Sequence, residues 1–449
     1  MGTILLFTVS FLMIIIALIQ GYFVGFPLTA ALILFCTAAL HKGVSFNALT
    51  SFLRSGVQKS LLVIRIFALI GGITAAWMTA GTVPGIVYYS LQLLHPHYFF
   101  LIAFVVSCVV SFLLGTSLGT TGTLGVALMM LARTGQANPS MAAGALIAGA
   151  YFGDRFSPMS SSANLVATIT ETNLYRNLRN MAATMWLPFI VSCVLYGLLS
   201  FRYPLDLDAA VMDAQLADSF LLHPLVLLPA VVMLGLSALR VDVKISMASS
   251  LITAILLSLF FQGREFGETG VFLVTGFQLP DTNPLAPIIQ GGGLLSMVRP
   301  SVIVLVSCIL AEVIHGGRFL QPVIWILNTA TTRIRLYSYT LLTSILSGAF
   351  GGTQSVSIIL TGHLMQEAYQ PLDAWQETLA LDLEDTSVLV AALIPWNVAA
   401  LFPTTVLQVD RTGFMPYAFF LFLLPLFNLI RYRFSRQRPF TASAKTNTK

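Results

Sequence analysis

The chain has 449 residues, of which 57% are hydrophobic and only 9% charged, with a mean hydropathy of +0.86. Soluble domains carry roughly 25% charged residues, so a soluble fold is excluded and lipid is the solvent for most of the chain. The net charge of +5 comes from basic residues that stand singly or cluster at segment ends, not in a stripe, which excludes a nucleic-acid binder.

Taken in order, apolar windows of spanning length fall near residues 3–22, 24–41, 60–81, 98–117, 181–201, 222–240, 245–262, 298–316, 336–362, 386–409 and 413–431. Two further hydrophobic pieces, broken by Gly, Pro and Ser, lie between 118 and 170. At about 20 residues per span, roughly ten to thirteen crossings are predicted. The first window has no positive n-region and no clear cleavage site, so it reads as a transmembrane helix and not a signal peptide. Cys36, Cys108, Cys193 and Cys308 all fall inside apolar runs and read as small core hydrophobes.

Lysine and arginine set the orientation. Lys42, Arg54 and Lys59, then Arg176 and Arg179, then Arg240 and Lys244, mark cytoplasmic loops. So does the tail from Arg431, with Arg433, Arg436, Arg438, Lys445 and Lys449 and no acid. The loop at 202–220 carries Asp206, Asp208, Asp213 and Asp218 against Arg202 and is placed outside. The pattern closes only if 118–170 makes an even number of passes, as a hairpin or a broken helix pair does. The whole chain, 1–449, is one integral membrane domain, with approximate repeat halves at 50–200 and 240–431 and a basic tail at 432–449.

The halves come from an internal match. "SFLLGTSLGT" (111–120) aligns with "SILSGAFGGT" (344–353), which brings Thr120 to Thr353, and the same spacing brings Asn164 to Asn397, each after a proline. The topology puts Thr120 near the inside and Thr353 near the outside, so the halves are inverted. Inverted halves with interrupted segments point to a secondary transporter, whose site lies where the broken helices meet.

Three polar stretches carry candidate chemistry. In "YFGDRFSPMSSSANL", Asp154 is an acid at membrane depth, a functional residue by default. Ser157, Ser160, Ser161, Ser162 and Asn164 add hard oxygen ligands that suit Na⁺ or a proton, and Pro158 frees backbone groups. The bland alternative pairs Asp154 with the adjacent Arg155 at an interfacial turn. In "GTSLGTTGTLG", Thr116, Ser117, Thr120 and Thr121 either line a site or serve close helix packing. In "LEDTSVLVAALIPWN", Glu384 and Asp385 stand at the mouth of an apolar run with Thr386, Ser387 and Asn397, or mark a helix end in water. Asp154 and Asp385 are the two candidate Na⁺ carboxylates. Glu312 and His315, one turn apart, either relay protons or end a helix, and Arg65 snorkels to the interface.

"GTSLGTTGTLGVALM" and "AGAYFGDRFSPMSSSANL" resemble two blocks of the NhaC-type sodium/proton antiporter family. "WMTAGTVPGIVYYSLQLL" (77–94), "LEDTSVLVAALIPWN" (383–397) and "MPYAFFLFLLPL" resemble further stretches, in order from about residue 50 to 430. The resemblance implies an all-α polytopic carrier of the bacterial inner membrane, built from inverted repeats with hairpins meeting at the substrate. Two acids of the family pattern are absent: Ser161 stands at one position, and Gly352-Thr353-Gln354 replaces a Gly-Asp-Gln. Thr353 and Gln354 join the candidate site on that ground.

The expected function is Na⁺/H⁺ antiport. The alternative is a Na⁺- or H⁺-coupled carrier of a small organic acid or amino acid, which the two missing acids favour somewhat. No His-Glu-x-x-His, nucleophile elbow or nucleotide-binding motif appears, so neither an enzyme nor ATP dependence is expected. No cofactor is expected beyond Na⁺ and H⁺ as transported or coupling ions. The expected partners are membrane lipid and the small solute; oligomeric state stays open, a homodimer being one expectation. The basic tail predicts a cytoplasmic C-terminus. A reporter fused there is expected to be active only in the cytoplasm, and activity in the periplasm would overturn the topology.

Overall fold

The computed structural model describes residues 2–93, 96–205, 216, 218–239, 241, 243–280, 282–283, 286, 290–319, 330 and 332–434. Asp206, Asp208 and Asp213 of the expected external loop lie outside the described residues, as do Arg240, Arg436, Arg438, Lys445 and Lys449.

Regular structure among the described residues is helical, apart from one isolated bridge between Phe277 and Gly291. The first part runs α1 (Gly2–Ile19), α2 (Gly25–His41), α3 (Phe46–Thr79), α4 (Thr82–Leu93) and α5 (Phe99–Leu114). Then come α6 (Ser117–Thr120), a π-helical stretch (Thr121–Gly125), α7 (Val126–Thr134), α8 (Pro139–Phe156), α9 (Ser161–Ile169) and α10 (Leu174–Arg202). The second part runs α11 (Leu228–Ala238), α12 (Val243–Phe260), α13 (Phe266–Thr275) and α14 (Val298–Gly316). It ends with α15 (Arg333–Gly351), α16 (Gln354–Tyr369), α17 (Trp375–Asp385), α18 (Ser387–Val390), α19 (Val398–Val406) and α20 (Phe419–Phe434).

Among the described residues, 3 helices are by length and composition apolar enough to cross a membrane alone: Phe46–Thr79, Leu174–Arg202 and Leu294–Gly316. The segments Trp375–Leu393 and Val398–Val406 pass the same test together, bent by 51° at their break. Outward faces show where lipid sits. Leu187, Ile190, Val194, Leu198 and Phe201 recur every three or four residues along α10 and are exposed, as are Leu5, Val9, Leu12, Ile16 and Ile19 along α1. By contrast α8 is buried on nearly every side. Its small residues allow this: a Cβ on Gly153 would lie 2.3 Å from the backbone of Ser111 and Phe112, so only glycine lets α8 approach α5 this closely.

The polar segments are breaks, and the same break is built twice. Helix α5 ends at Leu114, Gly115 turns left-handed (φ +66°), and extended Thr116 caps α6 by accepting from the Gly119 N–H at 3.3 Å. Helix α15 ends at Gly351, Gly352 turns left-handed (φ +69°), and extended Thr353 caps α16 by accepting from the Val356 N–H at 3.3 Å. A second break follows in each half. After α8 come extended Ser157, Pro158 and the cap Ser160; after α18 come extended Ile394, Pro395 and the cap Asn397.

Each second break covers the open end of the first helix. Ser157 Oγ donates to the Phe112 carbonyl in the last turn of α5, and Trp396 Nε1 donates to the Ala349 carbonyl in the last turn of α15, both at 2.6 Å. Helix ends leave such carbonyls without intrahelical partners. The structural correspondence thus pairs Gly115 with Gly352 and Ser160 with Asn397. The sequence match had paired Gly115 with Gly348 and Asn164 with Asn397, a register displaced by about one helical turn. Gly/Ser/Thr identities fix a register poorly, whereas a positive-φ glycine followed by an extended threonine fixes it to the residue.

An alanine at position 352 would hold a strained positive φ and press its Cβ to 2.8 Å from the Ser307 side chain. Gly352→Ala and Gly115→Ala are each expected to cost about 2–3 kcal/mol. Gly197, inside α10 with nothing within 4 Å of its would-be Cβ, supplies the control. Gly197→Ala should leave detergent-micelle melting unchanged or raise it, while the two break variants melt earlier.

Candidate functional site

Asp154 lies near the C-terminal end of α8, in the angle between the broken segments, and only 3% of its surface is exposed. Its carboxylate is met by side-chain donors from three directions. Ser117 Oγ, at the start of α6, donates to Oδ2 at 3.0 Å. Ser160 and Ser162, at the start of α9, donate to Oδ1 at 3.0 and 3.2 Å. From the other half, Gln354 Nε2 reaches Oδ2 at 3.3 Å and also donates to the Val388 carbonyl at 3.1 Å. All four donors are neutral.

The three consecutive serines divide the work. Ser160 caps α9: its oxygen accepts from the N–H groups of Ser162 and Ala163 at 3.1 and 3.2 Å while its proton goes to Asp154. Ser162, also buried, shares a 2.8 Å bond with Ser160. Ser161 faces outward and is exposed. Among the other candidates, Ser157 holds the Phe112 carbonyl and accepts from the Met159 N–H at 3.1 Å. Asn164 is exposed, its amide donating to the Ser160 carbonyl at 2.6 Å. Thr116 and Thr353 serve as caps, and Thr120 Oγ1 donates to the Thr116 carbonyl at 2.8 Å. Asn397 caps α19 and donates to the Gly348 carbonyl at 2.8 Å. Thr386 lies in the break between α17 and α18, donating to the Asp382 carbonyl at 2.6 Å and accepting from Ser344 at 3.0 Å.

Arg155 turns away from Asp154. It forms a fully buried ion pair with Asp385, its Nη2 also donating to Thr184 Oγ1 at 3.0 Å. Asn428 Nδ2 of α20 supplies the other Asp385 oxygen at 2.7 Å. Asp385 therefore belongs to a second cluster, engaged by charge and amide, and does not share the donors of Asp154. Neither acid at the mouth of that apolar run lies in water: Glu384 and Asp385 are both completely buried. On the same helix Asp382 is held bidentately by Arg333 at 2.5 and 2.6 Å and by the Tyr369 hydroxyl at 2.5 Å. Glu312 is bound by Lys59 and, at 2.8 Å, by Ser55. Arg65 is exposed.

Thr184 and Asn428 were not picked out from the sequence. A lone asparagine in the apolar run "LFLLPLFNLI" was the available signal, since such a residue at membrane depth needs a polar partner.

The Asp154 cluster offers oxygen atoms of the kind a cation takes, Ser117 and Ser162 being free of the capping bonds that occupy Ser160. The hydroxyls of Ser117 and Ser162 carry oxygen lone pairs besides the proton each now donates, and rotation about Cβ–Oγ turns them toward an ion beside the carboxylate. One carboxylate among neutral oxygens suits a monovalent ion; among the described residues no group of three or more His, Cys, Asp or Glu gathers as a metal cage. A cavity of about 100 Å³ adjoins the first break, lined by Thr116, Gly119, Gly122, Met233, Met247 and Phe402.

The family model described as the Na⁺/H⁺ antiporter family matches residues 149–435. The Na⁺/H⁺ antiporter NhaC of Alkalihalophilus pseudofirmus is 30% identical over 90% of this chain and 88% of its own length. A malate-2H⁺/Na⁺-lactate antiporter of Bacillus subtilis is 25% identical over 91% of this chain and 90% of its own. The arginine/ornithine antiporter ArcD of Halobacterium salinarum is 27% identical over 86% and 82%.

Removing one partner of a buried ion pair strands the other charge, at a cost of about 3–5 kcal/mol. Asp385→Ala should therefore melt well below the unmodified protein in micelles. Adding Arg155→Met should recover most of that loss; no recovery would mean that the pair does not set the cost.

Proposed function

Because the chain belongs to the Na⁺/H⁺ antiporter family, we propose that it exchanges Na⁺ for H⁺ across the bacterial inner membrane, with the cation held at Asp154. The chain is a multi-pass membrane transporter and not an enzyme. The observation that carries the proposal is a buried carboxylate with four neutral side-chain donors drawn from both halves and, among the described residues, no cationic partner. A permanent ion pair would hold such a group charged and occupied. With Arg155 committed to Asp385, the charge of Asp154 is open to neutralisation by a cation or by a proton in turn. Competition for one carboxylate is antiport in its simplest form.

The doubled break supports a second part of the proposal. The two halves form inverted repeats whose relative rocking exposes the site to one side and then the other, with the C-terminus cytoplasmic. Unwound backbone is tolerated at membrane depth where it lines such a cavity.

One observation favours a second reading, the coupled carriage of an organic acid. Arg155 Nε and Nη1 have no hydrogen-bond partner among the described residues, and a carboxylate is the group such a guanidinium edge binds. Proteoliposomes under an imposed pH gradient, offered Na⁺, Li⁺, K⁺, malate, lactate and arginine in turn, separate the two.

In the same vesicles Asp154→Asn keeps size and removes charge. The loss of a charged ligand should lower cation-driven proton movement by roughly 100-fold, with insertion and expression unchanged. Exchange at the normal rate in this variant would reduce Asp154 to a structural role.

A further inference from the structure

Glu384 is fully buried, and neither of its carboxylate oxygens has a hydrogen-bond partner among the described residues. Every other buried acid near it is supplied: Asp154 by serines and Gln354, Asp385 by Arg155 and Asn428, Asp382 by Arg333 and Tyr369. An ionised carboxylate buried without donors is far costlier than its neutral acid, which leaves only one O–H unpaired.

We propose that Glu384 is a second proton-binding site, separate from the cation site at Asp154, and that it loads and releases a proton that Asp154 does not account for. The inference rests on the antiport reading and deepens it. The step is a proton transfer alone: a carboxylate oxygen of Glu384 takes H⁺ from a hydronium ion on one side of the membrane and gives it to water on the other.

The surroundings suit a group that changes charge. The charged groups that face Glu384 are Arg155, Asp154 and Asp385. Helices packed against α17 bring few others. Arg333 of α15 and Tyr369 of α16 are spent on Asp382, and His363 of α16 is exposed. Arg176 of α10 is paired with Glu377 near the surface. Arg155 also has the means to answer a deprotonated Glu384, because its Nε and Nη1 are unpartnered while Nη2 holds Asp385. Its neighbour in the chain is Asp154, so a shift of Arg155 toward Glu384 would be felt at the cation site.

A consequence follows for charge. If Asp154 alone swaps one cation for one proton, exchange is electroneutral. A further proton on Glu384 makes each cycle move net charge, so its rate responds to membrane potential.

The test uses the full chain in proteoliposomes with a Na⁺ gradient, a pH-sensitive dye, and a potassium diffusion potential set by valinomycin. The unmodified protein should exchange Na⁺ for H⁺ at a rate that changes severalfold with the potential. Glu384→Gln should still exchange Na⁺ for H⁺ but lose that dependence, whereas Asp154→Asn should slow exchange by the same roughly 100-fold at every potential. Potential dependence that survives in Glu384→Gln overturns the proposal, and so does an unmodified protein whose exchange ignores the potential. If Glu384→Gln is inactive, Glu384→Asp decides: activity that depends on potential, with a displaced pH profile, supports a proton site, and inactivity there assigns Glu384 a structural role. Failure of the unmodified protein to move protons with Na⁺, Li⁺ or K⁺ would instead sink the antiport reading itself.

Discussion

The buried ion pair between Arg155 and Asp385 is the interaction on which the rest of the site depends. A guanidinium at membrane depth must find a carboxylate, and the nearest one in sequence is Asp154. Adjacent residues on a helix do not face each other. Arg155 is therefore turned to the far half of the chain, where Asp385 meets it with Thr184 and Asn428 in support. The pair ties α8 to α17 and, by the same act, leaves Asp154 with neutral donors alone. Had the two neighbours paired, the acid would be locked in one charge state.

The breaks raise a second demand. Each interrupted helix exposes carbonyl and N–H groups that lipid cannot satisfy. The chain meets that demand with side chains that also hold the buried acid. Ser160 illustrates this: one hydroxyl both caps α9 and holds Asp154. Ser157 and Trp396 play matching parts in the two halves, closing the last turns of α5 and α15. Helix capping and the hydrogen bonds of the buried carboxylate are thus carried by the same atoms.

The acids of α17 show how differently one helix can treat similar groups. Asp382 has a bidentate arginine and a tyrosine, Asp385 has an arginine and an amide, and Glu384 has no donor among the described residues. Saturated pairs rigidify the packing of α17 against α15 and α8. An unsaturated acid beside them is a group whose charge the fold has not settled.

By itself the sequence determined the solvent and the landmarks. Composition placed the chain in lipid, and Gly, Pro and Ser clusters marked where its helices break. Asp154 stood out because a charge in an apolar run is expensive without a use. These are local properties, readable one segment at a time. Only the tertiary structure decided which acid takes Arg155, because that depends on the direction a side chain leaves its helix and on what stands opposite. It also decided that Ser162 and Gln354, and not Ser161 or Asn164, face the carboxylate. The repeat register moved by about one turn for a similar reason: small residues recur too often to align by identity, and backbone conformation is settled by what packs on it. The burial of Glu384 was beyond reach of the sequence, since a Glu-Asp pair at the edge of an apolar run looks the same whether water or protein closes over it.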